Sequence, residues 1–215
     1  KNNAAAKYVN AEGDVYVYYE AFVDADGNQE LSLGEGYATL EAAVAAAEAG
    51  KTVVLLENAD VSVVEITKGI KLDLNGKNLL GVTGVNPIIR VLSDVTVTKE
   101  LMIRDGVSLF IGSEDAKQSG SLTLAKDVQL TNEGLLRIHS GDLTINGRYI
   151  AAGTLEVHNG TVTVNGSLVN GNYMDFWSNA TLINNGTIDN GNLNLNFAEG
   201  ATYIHGENAE LMTAY

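Results

Sequence analysis

Cysteine is absent from all 215 residues, and proline occurs only once. Without cysteine there are no disulfides, no thiolate metal sites and no cysteine nucleophile. Secretion stays open, because bacterial surface proteins often do without disulfides. Positive charge is also scarce: 13 Lys and Arg stand against 27 Asp and Glu, for a net charge of −14. Nucleic acid and anionic membrane both require clustered Lys and Arg, so neither is expected as a partner. No apolar run approaches the roughly 18 residues of a membrane-spanning helix, and no segment has the form of a signal peptide. Membrane insertion is therefore not expected, and Lys1 in place of methionine reads as a mature or trimmed product.

What is present is a folded composition, 45% hydrophobic with 23 glycines. Charge is unevenly spread. Residues 1–50 hold nine acids and two bases, and residues 149–215 hold six acids and no base, around a near-neutral middle. Residues 1–12 have no period and read as an arm. Val15 to Val23 is aromatic and β-branched, which is strand chemistry. Asp26-Gly27-Asn28 signals a turn, with Leu31 and Leu33 beginning a return strand. One helix is predicted over 40–49. Thr39 is its N-cap, Leu40, Val44 and Ala47 form its apolar stripe, and Gly50 is its stop. The expected division is an N-terminal arm and hairpin over 1–36, then one domain over 37–215 that begins with the helix.

From Ser121 the chain falls into registers of about twenty residues: SLTLAKDVQLTNEGLLRIHSG, DLTINGRYIAAGTLEVHNG, TVTVNGSLVNGNYMDFWSNA and TLINNGTIDNGNLNLNFAEG. Each opens with an alternating strand and continues through further short apolar strands. Leu122, Leu143, Val162 and Leu182 share one column. Asn146, Asn165, Asn185 and His205, each followed by glycine, share another, and the looser KLDLNG adds Asn75. A period near twenty built from strands of three to five residues predicts an all-β parallel solenoid of about seven coils. Adjacent coils of such a stack lie about 4.8 Å apart. The Asn-Gly pairs suit tight corners, and stacked asparagines can bond from coil to coil. A solenoid end exposes core and strand edges, so it needs a cap, which the helix at 40–49 supplies at one end only.

The runs GYATLEAAV (36–44), AGKTVVLL (49–56) and IKLDLNGK (70–77) resemble the opening of right-handed parallel β-helix proteins of the pectin-lyase-like superfamily. The resemblance lies closest to repeat-bearing surface and secreted proteins of bacteria and covers roughly residues 36–80. It implies a right-handed coil and an extracellular or cell-surface location. Some of these relatives have no known activity, while others are polysaccharide lyases and hydrolases.

Several constellations are candidates for chemistry. Asp24, Asp26, Asn28, Glu30 and Glu35 lie in a twelve-residue stretch with oxygen ligands spaced as in a calcium loop. Gln29 replaces the glycine that such a loop needs at its sixth position, and the preceding segment is strand-like. A plain acidic hairpin is the competing reading. His139 and His158 should stack on neighbouring coils; a metal there would lack a third ligand, since the next coil offers Ser178. Tyr173, Asp175 and Trp177 form the one aromatic-polar cluster of the repeat region, suited to stacking a sugar. Thr161 and Thr163 make a row of the kind that binds ice, but Asp142 and Ile183 interrupt the grid. Glycoside hydrolysis would need paired carboxylates, and neither the spacing of Asp142, Glu156, Asp175 and Asp189 nor that of Arg90, Arg104, Arg137 and Arg148 brings a set together. The expected function is a non-enzymatic extracellular structural or adhesive module. Self-association head to tail, with calcium bridging the acidic ends, is its leading form. A glycan-binding adhesin and a polysaccharide-active enzyme are the alternatives.

Overall fold

A computed structural model of the chain describes residues 6–9, 16–32, 34–73, 75, 77, 79–81, 86–191 and 194–213. They form a β-solenoid of about eight turns, one more than the repeat count predicts. The turns contribute short strands to three faces, and along each face successive turns pair in parallel. The first face runs from Thr52–Leu55 through Asp94–Val97 and Gly141–Ile145 to Thr202–His205. The second starts with Ala59–Val61 beside Leu79–Gly81 and resumes from Leu101–Ile103 to Glu210–Thr213. The third runs from Val63–Ile66 through Leu135–Ile138 to Asn194–Phe197.

Alternation sets the core. Leu122, Leu143, Val162 and Leu182 are in register on successive coils of the first face and are at most 1% exposed. Each coil thereby covers the apolar residues of the one before it, which no coil could do alone. Two strands, Thr154–Val164 and Tyr173–Asn184, are long because they continue round the corner from the third face to the first. Glycine makes the preceding corners possible. Gly141 and Gly160 adopt φ of 133° and 145°, and a Cβ on either would run into the carbonyl oxygen of the glycine one coil below.

The N-terminal end is closed. Strand Ala21–Asp24 pairs antiparallel with Thr52–Leu55 and so occupies the edge of the first face, and Gly36–Tyr37 pairs with it in turn. Helix α1 (Leu40–Ala46) buries Leu40, Ala43 and Val44 over the core. Thr39 Oγ1 accepts the Ala42 amide at 3.2 Å, and Glu20 Oε1 accepts that of Leu40 at 2.8 Å. Burial pushes the Glu20 carboxyl above its ordinary value against the pull of that amide, with Glu41 and Asp60 adding to the rise. The helix ends three residues before the predicted position 49. Ala47 already has extended ψ, and Lys68 Nζ donates to the carbonyls of Ala45 and Ala47 at 2.8 and 3.0 Å, closing the C-terminal end.

Other details of the extension differ from expectation. Residues 6–9 of the predicted arm form a strand, Ala6–Val9, antiparallel to Tyr16–Tyr19. The predicted strand to Val23 is broken at Glu20 into two, and Val15 lies outside the described residues. The return strand is Gly36–Tyr37 rather than one starting at Leu31, while Leu33 lies outside the described residues.

Among the described residues no element covers the last coil. Its three last strands pair only with the coil below them, among the described residues. Phe197, Ile204, Leu211 and Met212 are 39%, 47%, 40% and 46% exposed there, at positions that lie in register with Phe176, Ile183, Ile188 and Asp189.

Candidate functional site

The third face carries the chemistry. Its outward side chains form a file in strict register: Glu65, Arg90, Phe110, Arg137, Glu156, Asp175 and Asn196. Two pairs of opposite charge lie along it, and Glu156 and Asp175 are neighbours of like charge. Arg90 Nη1 lies 2.8 Å from Glu65, Arg137 Nε 2.6 Å from Glu156 Oε2, and Asn196 Nδ2 donates to Asp175 Oδ1 at 2.7 Å. The Arg137 guanidinium also sits over the Phe110 ring, 5.7 Å from its centroid. Burial opposes ionisation of Glu156, but the hydrogen bond and charge of Arg137, helped by His158, hold its carboxyl below the ordinary range.

A stack of rings starts from Phe110 of this file and continues beside it through His139, His158 and Trp177, each two residues beyond Arg137, Glu156 and Asp175. Phe110 meets His139 edge-on at 5.2 Å, His139 meets His158 at 5.6 Å, and His158 stacks against Trp177 at 4.6 Å. His158 Nε2 is 3.3 Å from Glu156 Oε2. His139 Nε2 is buried without a partner among the described residues, and burial, then the Arg137 charge, lowers its pKa below the ordinary imidazole value. The stack ends at Trp177, which is 51% exposed; the position after Phe197 in the next coil is Ala198. A groove of about 350 Å³ opens at this step, lined by Asp175, Phe176, Trp177, Asn196, Phe197 and Ala198.

Tyr173, Asp175 and Trp177 therefore project from one strand on one side, as alternation requires, with Tyr173 41% exposed. Sequence reasoning missed their neighbours Arg137, Glu156, His158 and Asn196 as parts of one surface. The signal was present: the last four members of the charged file recur every 19 to 21 residues. The wider gap between Phe110 and Arg137, which contains the loop at 113–119, hid the earlier members.

The remaining candidates fall elsewhere. Asn165 Nδ2 donates to Asn146 Oδ1 at 2.9 Å, and Asn185 Nδ2 to Asn165 Oδ1 at 3.0 Å, a ladder of three. His205 is not its fourth rung. It is in register with Asn184, one column over, and Tyr203 holds its ring at 2.9 Å. Asn75 also stands apart, in a left-handed corner at φ 49° with its amide on the Leu55 carbonyl; Asp73 occupies the column position that Asn146 takes higher up. In the acidic loop the oxygens face the loop's own backbone. Asp24 accepts from the Gly27 and Gln29 amides, Asp26 and Asn28 from those two residues on, and Glu35 from Ala25 and Ser32. Glu30 is exposed. Among the described residues no group of three or more His, Asp or Glu stands close enough to hold a metal ion. Asp142 and Asp189 lie on the first and second faces, away from Glu156 and Asp175.

The class defined by fold and site is a parallel β-solenoid with one chemically distinct lateral face. No protein-family model, no curated protein and no solved structure matches this chain. No described helix is long and apolar enough to cross a membrane.

Proposed function

We propose that this chain is a non-enzymatic, extracellular structural or adhesive module whose third face binds polysaccharide. The observation that carries the reading is Trp177: the only tryptophan in the chain, half exposed, backed on one side by His158 and bordering a groove with polar Asp175 and Asn196 at its wall. A flat indole accepts the C–H face of a sugar ring, and the adjacent oxygens accept its hydroxyls. Tyr173, four residues back on the same strand, stands about 13 Å away by strand rise, so a chain of a few sugars reaches both rings. Catalysis is not part of the proposal. Glu156 is held ionised by Arg137, which leaves Asp175 without a protonated carboxyl partner to act as general acid. The test is titration of tryptophan fluorescence with soluble polysaccharides, repeated on Trp177→Ala by affinity electrophoresis. Loss of retardation in the variant supports the reading, and equal retardation of both proteins sinks it.

Self-association is the second reading, favoured by the exposed Phe197, Ile204, Leu211 and Met212 of the last coil. A head-to-tail contact would meet an N-terminal end whose first-face edge strand Ala21–Asp24 already occupies, and both ends are acidic. For that reason polysaccharide binding leads.

A further inference from the structure

Building on the polysaccharide reading, we infer that the groove beside Trp177 selects sugars without carboxylates, taking neutral polymers and turning away uronates. Charge on the third face is the basis. Its two arginines are both spent on carboxylates of the same file, Arg90 on Glu65 and Arg137 on Glu156. Arg137 is further fixed over Phe110, so turning toward a ligand would cost both contacts. Beyond Arg148 the chain contains no Lys or Arg at all, while Glu156 and Asp175 stand on adjacent coils at the groove. A uronate seated on the indole would face Asp175 at short range, within a screening length of about 8 Å, with no Lys or Arg from residues 149–215 to offset its desolvation.

The polar groups present suit the opposite chemistry. Asn196 donates its amide hydrogen to Asp175 Oδ1. Among the described residues nothing occupies Asp175 Oδ2 or Asn196 Oδ1, so the wall of the groove offers two acceptors side by side. Vicinal hydroxyls donate to such a pair, and a carboxylate, which only accepts, cannot. The groove volume of about 350 Å³ is at the small end of ligand pockets, enough for one or two sugar rings against the indole. Asp175 is thus the specificity-determining residue and Trp177 the platform.

An array of neutral and uronate oligosaccharides, followed by fluorescence titration with the hits and with hexagalacturonate, tests this. Neutral oligomers are expected to bind and shift the emission of Trp177, and hexagalacturonate is expected to bind at least about tenfold more weakly. Asp175→Asn keeps the shape of the wall, and it should weaken neutral binding while narrowing the gap to hexagalacturonate. Trp177→Ala, which has no tryptophan and is followed on the array, should lose both. Uronates bound as tightly as neutral sugars, and lost in Trp177→Ala, would overturn the selectivity while leaving polysaccharide binding intact. An array without a single hit overturns the underlying reading as well.

Discussion

The indole of Trp177 lies against the imidazole of His158, ring centroids 4.6 Å apart and planes 26° from parallel. Each follows a register pair, Val157 and Phe176, on adjacent coils, and the irregularity that begins there leaves the imidazole under the exposed ring. Trimming that support isolates its effect. His158→Ala is expected to lower the fluorescence anisotropy of Trp177 and to weaken saccharide binding about fivefold, corresponding to ~1 kcal/mol for an aromatic pair. Unchanged anisotropy would mean that the stacking does not hold the ring.

Acid should unfold the third face in two steps. His139 has a folded pKa below the ordinary imidazole value, chiefly through burial and then the Arg137 charge; Glu114, His158 and Arg90 also act on it. The unfolded chain takes up the proton first, so the stability from neutral His139 is complete above the unfolded imidazole pKa of about 6.5 and fades as pH falls through the folded value. Glu156 is also depressed, and its contribution is lost lower, as pH falls below the ordinary carboxylate range. Thermal unfolding followed by circular dichroism should show the melting temperature falling between pH 7 and 5 and again below 5. His139→Phe, which keeps an edge contact with Phe110, should remove the first fall and leave the second. A variant profile with both falls would place the neutral-pH sensitivity elsewhere.

Two glycines with positive φ should respond very differently to substitution. Gly27 has φ 81° with open space around its would-be Cβ, so Gly27→Ala costs only the left-handed penalty of about 1 kcal/mol. Gly160 has φ 145°, and its Cβ would strike the Gly141 carbonyl oxygen of the coil below. Gly160→Ala is expected to cost more than about 3 kcal/mol or to prevent folding, because the whole coil must shift. Equal urea midpoints for the two variants would contradict the close stacking at this corner.

The solenoid was legible because burial in each coil depends on its neighbours, which forces like residues into register; Leu122, Leu143, Val162 and Leu182 record this directly. The site was legible only in part. Tyr173, Asp175 and Trp177 lie on one strand, so alternation alone reveals their common side. Their partners come from other coils, and a single slipped position redirects a contact. His205 shows how: it precedes a glycine as the three asparagines do, but the coil leading to it is one residue longer, 21 residues from Asn184 to His205 against 20 from Val164 to Asn184, so Gly206 rather than His205 falls level with Asn185. The acidic stretch from Asp24 to Glu35 carried two readings, a calcium loop and a plain hairpin, for another reason. Asp, Asn and Glu side chains bind backbone amides in a tight loop as readily as they bind a cation, and the spelling of the two is alike.

The C-terminal coil makes the last prediction, because two opposing effects meet there. Phe197, Ile204, Leu211 and Met212 favour association, and three strands whose outer edges have no partner among the described residues offer hydrogen bonds to another chain. Glu199, Glu207 and Glu210 lie in the same last coil with no base to balance them, so like charge opposes any contact between copies. Exposed charges are screened by salt whereas apolar contacts are not, so association should strengthen from 20 to 500 mM sodium chloride. Sedimentation velocity across that range, with calcium or with chelator, separates simple screening from bridging. Screening predicts that sodium chloride suffices, while a cation bridge predicts fibres only with calcium. Ile204→Asn combined with Leu211→Asn leaves the charge unchanged and should abolish association in either case. A wild-type protein that remains monomeric at high salt, with and without calcium, would rule out the self-assembling form and leave the lateral face as the working surface.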